Sequence, residues 1–232
     1  MSMWRNEFTV VRPRRGVVSP MPDRSERAVF LREFVRSPLR TASVVPSSPS
    51  LAEQMIAALS GADDPVVVEL GPGTGTFTEA IQRRLAGRGR HIAIELNETM
   101  VAHVSRRCPG VEVVTGAAGD LPDILAARGI SGADHIVSGL PWSAFAGPAG
   151  HALIDTVASS LTPTGVYTQF TYAWTRWAPP ARRQLDQLRS AFDEVVITRT
   201  IWRNIPPALV YLSRRPRSPV APTMPVLLRS TA

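Results

Sequence analysis

The stretch Val66–Ala80, VVVELGPGTGTFTEA, constrains this chain more than any other. An apolar run ends at Leu70, glycines follow at 71, 73 and 75, and a helix-forming run starts at Thr76. A β-run feeding a helix through a glycine-rich turn opens a βαβ unit. Such glycines let the backbone turn tightly and let a ligand rest against the helix N-terminus. A dinucleotide fingerprint requires a third glycine at the sixth position, and here that position is Thr76. Glu69 stands two residues before Gly71, where its carboxylate would repel a pyrophosphate. A ligand carrying an ammonium group tolerates or uses that acid.

The rest of the chain continues the alternation. Strands are predicted over Val66–Leu70, His91–Glu95, Val111–Val114, His135–Gly139, Gly165–Tyr172, Glu194–Arg203 and Ala208–Arg214. Helices are predicted over Leu51–Leu59, Thr76–Ala86, Glu98–Arg107, Pro122–Arg128, Ala149–Ser160 and Pro180–Phe192. This order implies an α/β protein with a parallel, doubly wound sheet. The last two strands are joined too closely for a helical crossover, so the last strand should run antiparallel. Glu95 closes the second strand 20 residues after Gly75, where an acid accepts hydrogen bonds from ribose hydroxyls. S-adenosyl-L-methionine has an ammonium, a sulfonium, a ribose and no phosphate, and suits these residues better than NAD.

The combination of Glu-x-Gly-x-Gly-x-Gly with this acid resembles the class I S-adenosylmethionine-dependent methyltransferases over about residues 43–214. The resemblance implies a Rossmann-like seven-stranded sheet with N-terminal helices added. It implies cofactor contacts from Glu69, Gly71, Gly73, Gly75, Thr76, Glu95, Leu96 and Ser138. That superfamily often carries a Gly-Asp-Ala acid after the third strand, and here the residues are Gly116-Ala117-Ala118. Asp120 either substitutes for the acid or caps the helix at Leu121, and the cap is favoured. Adenine is then expected against Leu96, Ala117 and Ala118.

Methyl transfer from a sulfonium is an in-line displacement that depends on positioning. In this superfamily the loop after the fourth strand faces the methyl group. Ribosomal adenine-N6 dimethylating enzymes resemble the glycine loop and carry Asn-Leu-Pro-Tyr there. This chain has Ser138-Gly139-Leu140-Pro141-Trp142, so the asparagine amide for a nucleobase is replaced by Gly139. A nucleic acid substrate is therefore not expected.

The chain also resembles the bacterial phospholipid N-methyltransferases, which make phosphatidylcholine from phosphatidylethanolamine. PSSPSLAEQM, ELGPGTGTFTEAI, AIELN, IVSGLPW, YTQFTYAW and RNIPPALVYLSRR carry that resemblance in order. It implies a peripheral membrane enzyme that methylates an aliphatic amine, with a phospholipid head group favoured. An ornithine lipid, a soluble amine or an rRNA-type acceptor stand as alternatives. Gly139, Leu140, Trp142 and Tyr172 are the candidate catalytic residues. Trp142 is either pocket wall, attracting the methylated cation, or core. Arg203, Asn204 and Arg176 are candidate substrate contacts, because guanidinium forks match phosphate oxygens.

Charge supports a membrane partner. All 26 basic residues are arginine. Residues 1–40 carry +5 and residues 214–232 carry +4 of a total of +7, leaving −2 for residues 41–213. Basic ends suit an anionic partner, either a membrane surface or nucleic acid. Residues 25–37, SERAVFLREFVRS, form a basic amphipathic helix expected to touch an anionic membrane over about 24–37. The chain is expected to divide into a basic arm (1–42), a methyltransferase domain (43–214) and a disordered Pro/Arg-rich tail (215–232). No apolar run is long enough to span a membrane and the start lacks an apolar leader, so a cytoplasmic protein is expected. One cysteine, Cys108, and four scattered histidines give no metal-binding pattern. His135 is expected to be packed rather than catalytic.

Overall fold

A computed structural model of the chain describes residues 47–59, 64–141 and 148–217. The expected amphipathic helix at 24–37, Trp142 and the tail beyond Arg217 lie outside these residues. All described residues belong to the compact unit Val45–Ala232.

Seven strands run in chain order as β1 (Val66–Leu70), β2 (Arg90–Glu95), β3 (Glu112–Thr115), β4 (Ala133–Ser138), β5 (Leu161–Tyr172), β6 (Phe192–Ile197) and β7 (Ala208–Pro216). The helices are α1 (Pro49–Met55), α2 (Thr76–Leu85), α3 (Glu98–Arg107), α4 (Leu121–Ala126), α5 (Pro148–Ser159) and α6 (Pro179–Ala191). The strands lie in the order β3-β2-β1-β4-β5-β7-β6. β1 to β5 pair in parallel, and β7 runs antiparallel to both β5 and β6. The expected doubly wound sheet with an antiparallel last strand is the fold of the domain.

Strand residues alternate between two apolar layers. Val68, Leu70, Ile92, Ile136, Tyr167 and Leu209 face one core with Leu121, Ile154 and Leu188 of α4, α5 and α6. Val67, Val137, Ala208 and Val210 face the other, with Leu51 and Met55 of α1 and Phe77 and Ile81 of α2. Ser48 starts α1: its Oγ accepts from Leu51 N at 3.1 Å, and Pro49 follows where a missing N–H costs nothing.

Several element ends differ from expectation, among them those of α1, β6 and β7. α1 stops at Met55 and continues only as a turn toward Leu59. β6 stops at Ile197, not Arg203, and the chain leaves the ladder at Thr198, returning to pair Ile201 with Ala208. Thr198 Oγ1 accepts from Val210 N at 2.9 Å there, replacing a ladder bond. β7 continues past Arg214 to Pro216, opposite Phe192, and Arg217 is tied to Asp193 Oδ1 at 2.8 Å. The first residues of the expected tail thus belong to the sheet edge.

The strand order reverses between β1 and β4. In open α/β sheets the crevice outside such a switch point, at the carboxyl ends of the strands, is where ligands bind.

Candidate functional site

All five parallel strands end at one rim: β1 in Leu70, β2 in Glu95, β3 in Thr115, β4 in Ser138 and β5 in Tyr172. Gly71, Gly73 and Gly75 have φ of +69°, +53° and +88°. This left-handed backbone turns the chain sharply from β1 into α2, and L side chains adopt it only with strain. Thr76 then begins α2, and Gly75 occupies its N-cap.

Glu95 joins the loop to β2. Its Oε1 accepts from Leu96 N at 2.9 Å and Asn97 N at 3.0 Å, and its Oε2 accepts from Gly73 N at 3.3 Å. Three backbone donors hold the carboxylate at the mouth of the crevice, fixed in direction. A ribose diol presents two donors, which is what a fixed carboxylate accepts. Asn97 caps the next helix, accepting from Thr99 N at 2.9 Å and Met100 N at 3.3 Å. Leu96 is therefore pinned between an anchored acid and a helix start.

Glu69 lies beneath the loop. It is fully buried, its Oε2 lies 3.3 Å from His91 Nε2, and neither oxygen has a hydrogen-bond partner among the described residues. Gln82 Nε2 lies 3.0 Å from His91 Nδ1, on the other side of the ring. A buried carboxyl without hydrogen-bond partners favours a cation above it, and this is the observation in the chain that best fits an ammonium-bearing cofactor.

After β3, Ala117 and Ala118 stand half-buried at the rim. Asp120 Oδ2 accepts from Ala117 N at 3.1 Å, which closes the turn Ala118–Asp120. It makes no side-chain cap on α4, so the expected helix cap is replaced by a bond backward into the loop. The backward bond wins because Ala117 N would otherwise lack a partner at a bend in the chain.

The β4 end meets the glycine loop. Gly139 N donates to Leu70 O at 2.8 Å, and a Cβ at Gly139 would lie 2.5 Å from Gly71 O. The glycine thus has a steric cause as well as the chemical one read from the sequence: the two loops touch backbone to backbone. Leu140 packs its side chain over Gly71, and Ser138 Oγ accepts from Leu140 N at 3.3 Å. Tyr172 lies on the α1/α2 side of the sheet. Its ring packs edge-on to Phe170 (5.7 Å), which packs edge-on to Phe77 of α2 (5.8 Å).

The substrate candidates separate. Arg176 and Arg203 are exposed, and Arg176 lies 4.1 Å from the ring centre of Trp177. Asn204 is buried instead. Its Oδ1 accepts from Ser48 N at 2.9 Å and its Nδ2 donates to Pro206 O at 2.7 Å, so the amide joins the β6–β7 turn to α1.

His135 is buried on β4, with Nε2 3.1 Å from Thr168 Oγ1, whose proton goes to Met55 O at 2.9 Å. Burial pushes its pKa down to about 3, which suits the expected packing role.

Two contributors were not read from the sequence. His91 appeared only as a scattered histidine, and its tie to Glu69 depends on strand register, with Val67 opposite His91. Arg107 donates from Nε to Glu79 Oε1 at 2.6 Å and from Nη1 to Thr74 O at 3.3 Å. It buttresses the glycine loop from outside and holds the Glu79 carboxyl below the usual carboxylate range. A cleft of about 440 Å³ between α2 and the end of α3, lined by Gln82, Arg107 and Pro109 among others, contains none of the expected cofactor residues. Among the described residues no cluster of His, Cys, Asp or Glu could hold a metal ion, and no helix is long and apolar enough to cross a membrane.

The geometry can therefore seat a cationic, ribose-bearing ligand. S-adenosyl-L-methionine bound there supplies an electrophilic methyl group on its sulfonium. The glycine loop, Glu95 and the 116–118 turn would hold it there.

Comparisons with known proteins agree. A family model described as a methyltransferase domain matches residues 67–165. An "Ornithine lipid N-methyltransferase" of Singulisphaera acidiphila is 33% identical over 189 residues, covering 80% of this chain and 94% of that protein. Among solved structures, an S-adenosylmethionine-dependent O-methyltransferase from Thermotoga maritima superposes with a TM-score of 0.55 at 12% identity, covering 80% of this chain and 72% of that one. A putative rRNA methylase from Clostridium thermocellum superposes with a TM-score of 0.56 at 13% identity, covering 75% and 100%. At those identities the structures speak for the fold alone. With the cofactor loop, the fold and a 33% identical relative in agreement, the chain belongs to the class I S-adenosylmethionine-dependent methyltransferases.

Proposed function

We propose that this enzyme N-methylates the amine of a lipid head group. The observation that carries this reading is the likeness to a protein named for ornithine lipid N-methylation, which extends over nearly all of that protein. It favours an ornithine lipid over phosphatidylethanolamine, the acceptor first expected. The crevice supports an aliphatic acceptor over a nucleobase. The space at Gly139 is closed by Gly71 O, leaving no room for a side-chain amide in this arrangement.

An alkylamine has a pKa of about 10, judged by lysine, and must lose a proton before its lone pair can attack. In this reading Tyr172 orients the amine, its phenolic oxygen accepting a hydrogen bond from it, and the proton leaves to water. Gly139 and Leu140 shape the floor on which the amine approaches, and Trp142 follows directly in the chain. Arg176 and Arg203 hold the head-group anion. A guanidinium fork fits the carboxylate of an ornithine head group as well as it fits a phosphate.

The test is mass spectrometry of total lipids from a host that makes both ornithine lipids and phosphatidylethanolamine but methylates neither. Expression of the protein is expected to add the mass of one to three methyl groups to the ornithine lipids. Gain by phosphatidylethanolamine alone would return the acceptor to the phospholipid. No change in any lipid, with methylation of a soluble amine or of RNA, would overturn the reading.

A further inference from the structure

Four large apolar side chains stand in water together at one corner of the sheet. Trp174 is 66% exposed, Trp177 63%, Trp202 77% and Ile205 74%. The first two lie in the turn after β5, and the others lie in the β6–β7 connection. These two segments are adjacent. Ala173 N donates to Pro207 O at 2.8 Å, Tyr172 lies opposite Ala208, and Ile201 N donates to Ala208 O at 2.7 Å. Trp174 and Trp202 therefore each follow a residue that is hydrogen-bonded into the same rim. That rim carries the end of β5, beside the end of β4, so the aromatic corner adjoins the acceptor side of the crevice.

The charge around them is one-sided. Residues 172–185 and 197–207 contain Arg176, Arg182, Arg183, Arg199 and Arg203 and no acid. Among the described residues none of the five forms an ion pair.

Exposed apolar residues are ordinary when scattered; a cluster of this size on one edge marks a docking surface. Tryptophan combines an apolar body with an N–H dipole and settles at the boundary between head groups and acyl chains. Arginine without acidic neighbours matches anionic lipid phosphates. We propose that this corner docks the enzyme on an anionic membrane surface. Trp174, Trp177 and Trp202 enter the head-group boundary, and the surrounding arginines contact phosphates. A lipid amine then reaches the crevice without leaving the bilayer. This docking surface rests on the lipid reading above, and it is separate from the contact expected of residues 24–37.

The test uses the full chain and its triple variant Trp174→Ala/Trp177→Ala/Trp202→Ala. Both are sedimented with phosphatidylcholine vesicles with and without phosphatidylglycerol. Thermal unfolding, calorimetric binding of S-adenosyl-L-methionine and turnover of a short-chain lipid amine below its micellar concentration are measured alongside. Wild type is expected to bind the anionic vesicles. The triple variant is expected to lose at least about tenfold in that binding while the other three readouts hold, since each tryptophan removes apolar contact and none lies in the crevice. Vesicle binding unchanged in the triple variant would overturn the proposal and leave the membrane contact to residues 24–37. A wild type that self-associates without vesicles, with a monomeric triple variant, would also overturn it, because the corner would then be a protein interface. Lost vesicle binding in a protein that methylates no lipid amine would sustain the docking surface and sink the substrate reading.

Discussion

Glu69 and His91 face each other 3.3 Å apart with no solvent access to either side chain. His91 is the close polar partner of a carboxylate whose oxygens otherwise have none among the described residues. Removing the one close polar neighbour of a buried carboxyl leaves that group unpaired, at a cost of about 1–3 kcal/mol. His91→Leu is therefore expected to lower stability by that order, read by urea unfolding. His91→Gln, which keeps a donor, is expected to lose less than half as much. Equal losses would mean that volume, not the donor, matters there.

His135 makes stability depend on pH. Its folded-state pKa, about 3, lies below the ordinary value of 6.5, so the unfolded chain takes up a proton that the fold excludes. The contribution of neutral His135 is complete above about pH 6.5 and declines as the pH falls below it, by roughly 2 kcal/mol at about pH 5. His135→Gln keeps a donor for Thr168 Oγ1 and removes the titration. Urea unfolding at the two pH values is expected to show a smaller acid loss in the variant by about that amount. Identical pH slopes would show that His135 is not held neutral.

Gly139 and Gly73 separate steric from conformational demands. A Cβ at Gly139 meets the Gly71 carbonyl at 2.5 Å, whereas a Cβ at Gly73 meets nothing within 4 Å. Gly139→Ala must displace the glycine loop and is expected to weaken S-adenosyl-L-methionine binding at least about tenfold by calorimetry. Gly73→Ala adds only left-handed strain, about 1–2 kcal/mol. Unchanged affinity in Gly139→Ala would mean that the β4 end does not set the loop.

Arg203 and Asn204 are neighbours with opposite expected phenotypes. Asn204→Ala breaks bonds to Ser48 N and Pro206 O and is expected to destabilise the domain by about 1–3 kcal/mol. Arg203 is exposed and forms no ion pair among the described residues, so Arg203→Ala is expected to leave the melting temperature unchanged and raise KM for the lipid acceptor. A stable Asn204→Ala with raised KM would return that amide to substrate binding.

The contrast between these neighbours explains how far the sequence could be read. Local patterns carry strand and helix order, so β1, the glycine loop and Glu95 at the end of β2 were legible, as was the antiparallel β7 implied by a short connection. The partner of Asn204 was not, because Ser48 lies 156 residues away and no spacing marks it. His91 was missed for the same reason: its meeting with Glu69 follows from inter-strand register, which periodicity does not encode. Asp120 was read as a cap on α4, but Ala117 N was the nearer unsatisfied donor. The exposed tryptophans follow no pattern in the sequence, and only the fold places their two distant turns side by side.

The most direct measurement is methyl transfer in vitro from labelled S-adenosyl-L-methionine to vesicles containing ornithine lipid, phosphatidylethanolamine or neither. Glu95→Ala, which removes the carboxylate anchored by Gly73, Leu96 and Asn97, serves as the cofactor-site control. Label is expected in the ornithine-lipid fraction with wild type, falling at least about tenfold with Glu95→Ala. Label confined to water-soluble amines or RNA, or absent from every lipid, would contradict a lipid amine as the acceptor.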